Sequence, residues 1–210
     1  MSVKISNSRE LHLQAILSGF LIGIGDIAIM QNENKYVGAL LFSLALLAII
    51  HNGIPLYTGR IGGLFYMSNY AELIVILFWN VVGCCLALLM FIGMQPDRNF
   101  SLVNEVANKK FGNMSIASLF IAGYLCNVLI HVAVATRDNF VTVLCIMAFI
   151  VSGFRHSIAD AGFAVISMNH VYLMKWAFVL LGNTVGGIFN ECLLSPDTVA
   201  RAIKNKFSKT

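Results

Sequence analysis

Apolar runs of bilayer length recur along this chain, and two of them are broken by residues that a bilayer rejects. The runs are roughly Leu11–Gln31, Tyr36–Gly53, Ala71–Met94, Met114–Ala135, Phe140–Met168 and Val171–Leu194. About twenty apolar residues suffice for a helix to cross the hydrocarbon core, where every backbone group must be satisfied internally. Only 11% of residues are charged and 58% are hydrophobic, whereas a soluble domain carries about a quarter charged. Too little polar surface remains to coat a globule. The pattern therefore predicts an all-α, multi-pass membrane protein with six spans in a single domain, residues 1–210.

The breaks carry the information. The second run stops at Asn52-Gly-Ile-Pro-Leu-Tyr-Thr-Gly59, and a short apolar piece, Ile61–Met67, follows. The fifth run holds Arg155, His156 and Asp160 within six positions, with Gly153 just before and Gly162 just after. An ionisable group at the bilayer centre costs a few kcal/mol, which makes an intramembrane charge a functional candidate by default. A discontinuous helix lining a wet cavity can hold such groups, because they then face water or protein.

The two halves also match. Gly53 and Gly153 lie 100 positions apart, and Asn80-Val-Val-Gly83 answers Asn183-Thr-Val-Gly186 at an offset of 103. Each half reads as a whole helix, a broken helix and a whole helix. Three spans per half force the second copy to be inverted, a recurrent design in transporters and channels. The organisation predicted is an N-terminal segment 1–10, a first repeat 11–94, an extracytoplasmic polar loop 95–113, a second repeat 114–194 and a basic tail 195–210. The N-x-x-G residues suit close helix packing and interhelical hydrogen bonds.

Lys4, Arg9, Arg60, Arg137, Arg201, Lys204, Lys206 and Lys209 fall on the side of the termini, against Lys35, Arg98, Lys109 and Lys110 on the other. That excess predicts cytoplasmic termini in a plasma (inner) membrane. The first apolar run continues too far for a signal-peptide core. All five cysteines sit in apolar runs without ligand spacing, so they read as small hydrophobes. Neither a metal nor a cofactor nor nucleic acid is expected.

An intramembrane enzyme is a weaker reading. Ser157 and His156 are adjacent and would diverge on a helix, and neither H-E-x-x-H nor G-x-S-x-G is present. A non-transporting scaffold leaves the cost of charged residues at the breaks unexplained. A water or neutral-solute pore of similar hourglass form remains the alternative, although the paired Asn-Pro-Ala caps it should carry are absent. His51 and His131 are lone intramembrane histidines, as readily structural as functional.

Several stretches resemble the formate/nitrite transporter family. Gly53-Ile-Pro-Leu-Tyr-Thr-Gly59 resembles its omega loop, and Gly-Phe-Arg-His-Ser-Ile-Ala-Asp160 resembles its Gly-Phe-Glu-His-Ser-Ile-Ala-Asn signature. Asn80-x-x-Gly83 and Leu181-Gly-Asn-Thr-Val-Gly-Gly187 resemble the glycine-rich faces of its third and sixth helices. The resemblance implies a homopentamer of aquaporin-like hourglass protomers, one pore each, in the lipid bilayer. The solute implied is a small monovalent weak-acid anion, such as formate, nitrite or hydrosulfide, or its conjugate acid. It also implies that His156 is central, with Thr58 opposite and Asn127 along the pathway. Phe42, Leu46 and Tyr57 match the cytoplasmic constriction; Leu56, Ile130 and Phe149 match the outer one. The chain departs from the family at Arg155, where Glu is usual, and at Asp160, where Asn is usual. Pro55, Tyr57 and the intramembrane Asp26 depart as well. Arg155 is expected either to pair with Asp160 or Asp26, because buried charges need partners, or to face the vestibule and attract anions.

The chemistry implied is neutralisation before passage. An unpaired anion crossing a hydrophobic ring costs many kcal/mol, and desolvation raises the pKa of the anion itself. Helix N-termini and a histidine at the centre would help it accept a proton, and apolar rings would then admit only the neutral acid.

Overall fold

The computed structural model describes residues 8–136 and 138–207, and all its regular structure there is helical. Lys4, Arg137 and Lys209, three of the charges used to orient the chain, lie outside these residues, as does the Arg137 step of the turn between the fourth and fifth runs. Among the described residues, five helices are long and apolar enough to cross a membrane: α1 (Ser8–Met30), α2 (Lys35–Asn52), α4 (Ala71–Met94), α6 (Ile116–Thr136) and α9 (His170–Leu194). Between them lie the single-turn α3 (Tyr57–Arg60), a 3-10 segment (Ile61–Tyr66), α5 (Pro96–Phe111), and the short apolar pair α7 (Asn139–Val151) and α8 (Ser157–Ile166). The last helix is α10 (Pro196–Phe207).

Polar residues at the ends explain where several helices begin. Asn34, Asp138 and Asn169 accept backbone N–H bonds in the first turns of α2, α7 and α9, as N-cap residues do. α2 and α7 end in the same way. Gly53 and Gly153 have φ of 65° and 74°, which an L side chain adopts at a cost. Gly53 N–H donates to the Ile50 carbonyl and Ile54 N–H to that of Ile49; Gly153 and Phe154 repeat this on Ile150 and Phe149.

Two asparagines pin the chain after each stop. The Asn80 carbonyl oxygen accepts from Tyr57 N–H at 2.8 Å, and its amide donates to Ala15 O, Ser18 Oγ and Pro55 O. Asn183 accepts from Ser157 N–H at 2.8 Å and donates to Gly123 O and Arg155 O. The interhelical bonds expected of the N-x-x-G residues are thus present. Their glycines permit them: a Cβ at Gly83 would lie 2.1 Å from Ile16 O, and one at Gly186 would lie 2.5 Å from Tyr124 O. So α1 packs on α4, and α6 on α9, at backbone distance.

The segment 95–113, read from sequence as a polar loop, is largely the helix α5. Pro96 starts it, and Asn99, Val103, Ala107 and Phe111 are its buried residues. That stripe closes over Leu88 and Phe91 of α4, Phe163 of α8 and Val179 of α9. Most of the basic tail is likewise helical, in α10. Ile74, Phe78 and Met90 of α4 are exposed on the outside, an apolar exterior suited to lipid or to further copies of the chain.

Candidate solute pathway

His156 and Thr58 form a buried polar pair. Thr58 lies in α3, His156 is the N-cap of α8, and both are 2% exposed. Their side chains meet at 3.0 Å, Oγ1 to Nε2. The other ring nitrogen, Nδ1, accepts the Ala159 N–H at 3.2 Å. A nitrogen that accepts a backbone N–H carries no proton, so the neutral ring holds its proton on Nε2 and donates it toward Thr58. The cap therefore fixes the tautomer. Phe149 stacks near-parallel to the imidazole at 6.0 Å between centroids, and Phe42 meets Phe149 edge-on at 6.1 Å.

On one side of this pair, where α2 stops and α7 starts, a cavity of about 520 Å³ opens, lined among others by Leu46, Leu56, Ile130, His51, Asn139 and Arg60. The apolar positions thus sort differently from the expected grouping. Leu46, Leu56 and Ile130 share this cavity, whereas Phe149 stacks on His156 and Phe42 backs Phe149. Tyr57 joins neither set directly: its hydroxyl bonds Thr184 Oγ1 at 2.8 Å, toward α9. Asn127 is fully buried and donates to the Asn183 carbonyl, while its Oδ1 has no protein partner.

On the other side, under α5, the charged residues converge. Arg155 Nε lies 2.9 Å from Asp160 Oδ2, and Lys110 Nζ lies 2.7 Å from Asp160 Oδ1. Of the two pairings foreseen for Arg155, the one with Asp160 forms. The geometry is an ion pair rather than an aligned hydrogen bond, and Arg155 Nη2 has no hydrogen-bond partner. The guanidinium instead lies over the Phe111 ring at 5.1 Å, and the Lys110 ammonium over Phe163 at 5.1 Å, both within cation–π range. Asp26 lies 3.9 Å from Cys84 Sγ and within electrostatic reach of Lys110, Asp160 and Arg155.

Sequence reasoning missed Lys110, assigning it to a loop, and gave Arg60 only a role in orientation. The four-residue spacing of Asn99, Val103, Ala107 and Phe111 signals a helix that would carry Lys110 inward. Arg60 stands two residues beyond Thr58, close enough to have been considered with it. His131 pairs with Glu191 at 3.1 Å, and Tyr66 donates to the same carboxylate.

The family model for the formate/nitrite transporter matches residues 3–195. The chain belongs to the formate/nitrite transporter family. It is 28% identical to the nitrite transporter NirC of Escherichia coli, over 98% of this chain and 90% of that protein. NirC of Salmonella typhimurium is 26% identical, over 87% and 81%. Among solved structures, an FNT family ion channel superposes with a TM-score of 0.76 at 25% identity, covering 87% of each chain. A pentameric formate channel with formate bound shares the fold, with a TM-score of 0.69 at 20% identity over 85% of this chain and 92% of its own. These relatives are transporters and channels, so this member of the formate/nitrite transporter family is a multi-pass membrane transport protein and not an enzyme.

Proposed function

We propose that the chain is a channel for small monovalent weak-acid anions, nitrite, formate or hydrosulfide among them, in which the anion is neutralised beside His156 before it crosses apolar constrictions. One observation carries the reading: a buried histidine that accepts a backbone N–H at Nδ1 offers its Nε2–H to Thr58 between an apolar-walled cavity and an aromatic wall. An anion that displaces the Thr58 hydroxyl gains a hydrogen bond from Nε2–H. Losing that proton outright would leave an imidazolate, so the proton that neutralises the anion is delivered as hydronium from the bulk solution, leaving water behind, and the ring orients the exchange. Leu46, Leu56 and Ile130 on one side, and Phe42 and Phe149 on the other, then pass the neutral acid. Asn127 borders the route through its unpartnered Oδ1, and Tyr57 closes it from the α9 side. Charge under α5, from Arg155, Asp160 and Asp26, tunes the local field.

In this reading α2–α3 and α7–α8 are the two broken spans of six, arranged as inverted three-helix repeats in an hourglass protomer. The matching glycine stops and asparagine pins support it. Five copies assemble in the plasma membrane with their termini cytoplasmic; a related fold in a pentameric formate channel supports the number.

Liposome flux tests the mechanism, with a panel of weak- and strong-acid anions, with and without a pH gradient, on the native chain and His156→Ala. Weak-acid anions should cross faster, and an inward proton gradient should drive their uptake. The histidine variant should lose that preference. Equal flux of strong- and weak-acid anions through the native chain would refute the neutralisation step.

A further inference from the structure

The cations near the two ends of the proposed route are not equivalent. Under α5, Lys110 and Arg155 both converge on Asp160, with Asp26 in range. The two cations share that one carboxylate, Asp160, at ion-pair distance. At the other end, among the described residues, Arg60 has no carboxylate of its own, and His51 shares its cavity. Arg60 lines the 520 Å³ cavity with Leu46, Leu56 and Ile130. Its side-chain contact is a long one, Nη2 to the Gly53 carbonyl at 3.4 Å. No carboxylate among the described residues comes within ion-pair distance. Glu72, the carboxylate that acts on it at longer range, is exposed at the start of α4.

We infer that Arg60 makes this cavity an anion-loading site, so that small anions bind from the α2–α3 end of the protein more tightly than from the α5 end. A half-buried guanidinium between low-dielectric walls attracts an anion more strongly than one in bulk water. The planar fork suits both oxygens of a carboxylate or nitrite. The Asn139 and Asn52 side chains line the same space and supply neutral polar groups around the guanidinium. Leu46, Leu56 and Ile130 belong to the same lining, so an anion concentrated there waits beside the apolar ring proposed above. Loading is thus separated from neutralisation: Arg60 holds the charged form and His156 meets it beyond the ring. The inference rests on the anion reading above and adds a side to it.

The test uses the full chain in vesicles of one orientation, with sidedness read from protease access to the C-terminus. Flux of sodium nitrite and sodium formate is measured against concentration from each end, for the native chain, Arg60→Gln and Arg60→Lys. Losing the charge should raise the half-saturating concentration from the α2–α3 end about fivefold, leave the value from the α5 end in place, and not lower the maximal flux. Lysine should stay near native. On the native chain, which needs no substitution, added inert salt should raise the half-saturating concentration from that end alone, because screening weakens the attraction. The inference fails if both half-saturating values ignore the charge and the salt. It fails equally if Arg60→Gln only lowers the maximum, which would make the residue a prop for the Gly53 carbonyl. Failure of the neutralisation reading is distinguishable: it would abolish the weak-acid preference, whereas the sided concentration dependence would persist.

Discussion

His156 serves the backbone with one ring nitrogen and the proposed pathway with the other. Because Nδ1 caps α8, a second proton there would confront the Ala159 N–H and cost the helix its cap, so the arrangement favours a neutral donor. Thr58 is the acceptor that holds this donor in place. Thr58→Val keeps the side-chain volume and removes the hydroxyl. With a net hydrogen bond worth about 1–1.5 kcal/mol, flux of nitrite should fall about tenfold while assembly is unchanged, and Thr58→Ser should recover most of it. Unchanged flux in the valine variant would remove Thr58 from the pathway. The meeting of these two residues was legible only through the family resemblance, which set Thr58 opposite His156; the repeat alone does not pair them, since Thr58 stands five residues after Gly53 and His156 three after Gly153. The destination of the Asn127 amide was not legible. A lone asparagine on a membrane helix reads equally as solute contact or as interhelical bond, and only the position of α9 assigns its N–H to the Asn183 carbonyl.

At the scale of elements, the charged residues make sense only once α5 is a helix. Its composition is that of a loop, with Asn99, Asn104, Asn108, Lys109 and Lys110 in a short span, and reading composition hid the four-residue stripe that closes it over α8. Lys110 then reaches Asp160 from above while Arg155 reaches it from below, and a single carboxylate answers both. Asp160→Asn would leave two cations under α5 without it. Breaking a buried pair by removing one partner costs about 3–5 kcal/mol, so the variant should unfold well below the native midpoint in a detergent melt. Adding Arg155→Glu to Asp160→Asn restores one carboxylate for Lys110 and removes the second cation, matching the pattern usual in the family. That double variant should recover most of the loss. A double variant no more stable than Asp160→Asn alone would mean that the cations were never dependent on the carboxylate.

The whole molecule is organised by two close helix pairs, α1 with α4 and α6 with α9, each of which grips the restart of an interrupted helix through one asparagine. The grip is more alike than the sequences. Asn80 and Asn183 each accept the N–H of the first residue of a restarting helix, donate to the carbonyl two residues before it, and donate again to the partner helix. The surrounding residues agree far less, since packing against lipid or a neighbour tolerates many apolar side chains, whereas a buried turn with unpaired backbone groups tolerates few donors. This is why the glycines and asparagines of the repeat could be read from the sequence and the angles between helices could not. If the halves are mechanically equivalent, Asn80→Ala and Asn183→Ala should destabilise alike. Each leaves buried backbone groups unpaired, at about 1–3 kcal/mol per group. Both should therefore lose several kcal/mol in reversible unfolding, or fail to accumulate at all, while Ser101→Ala on the exposed face of α5 should be near neutral. Severe loss in one asparagine variant and almost none in the other would mean that the likeness of the two grips is geometric, with the load carried by one half.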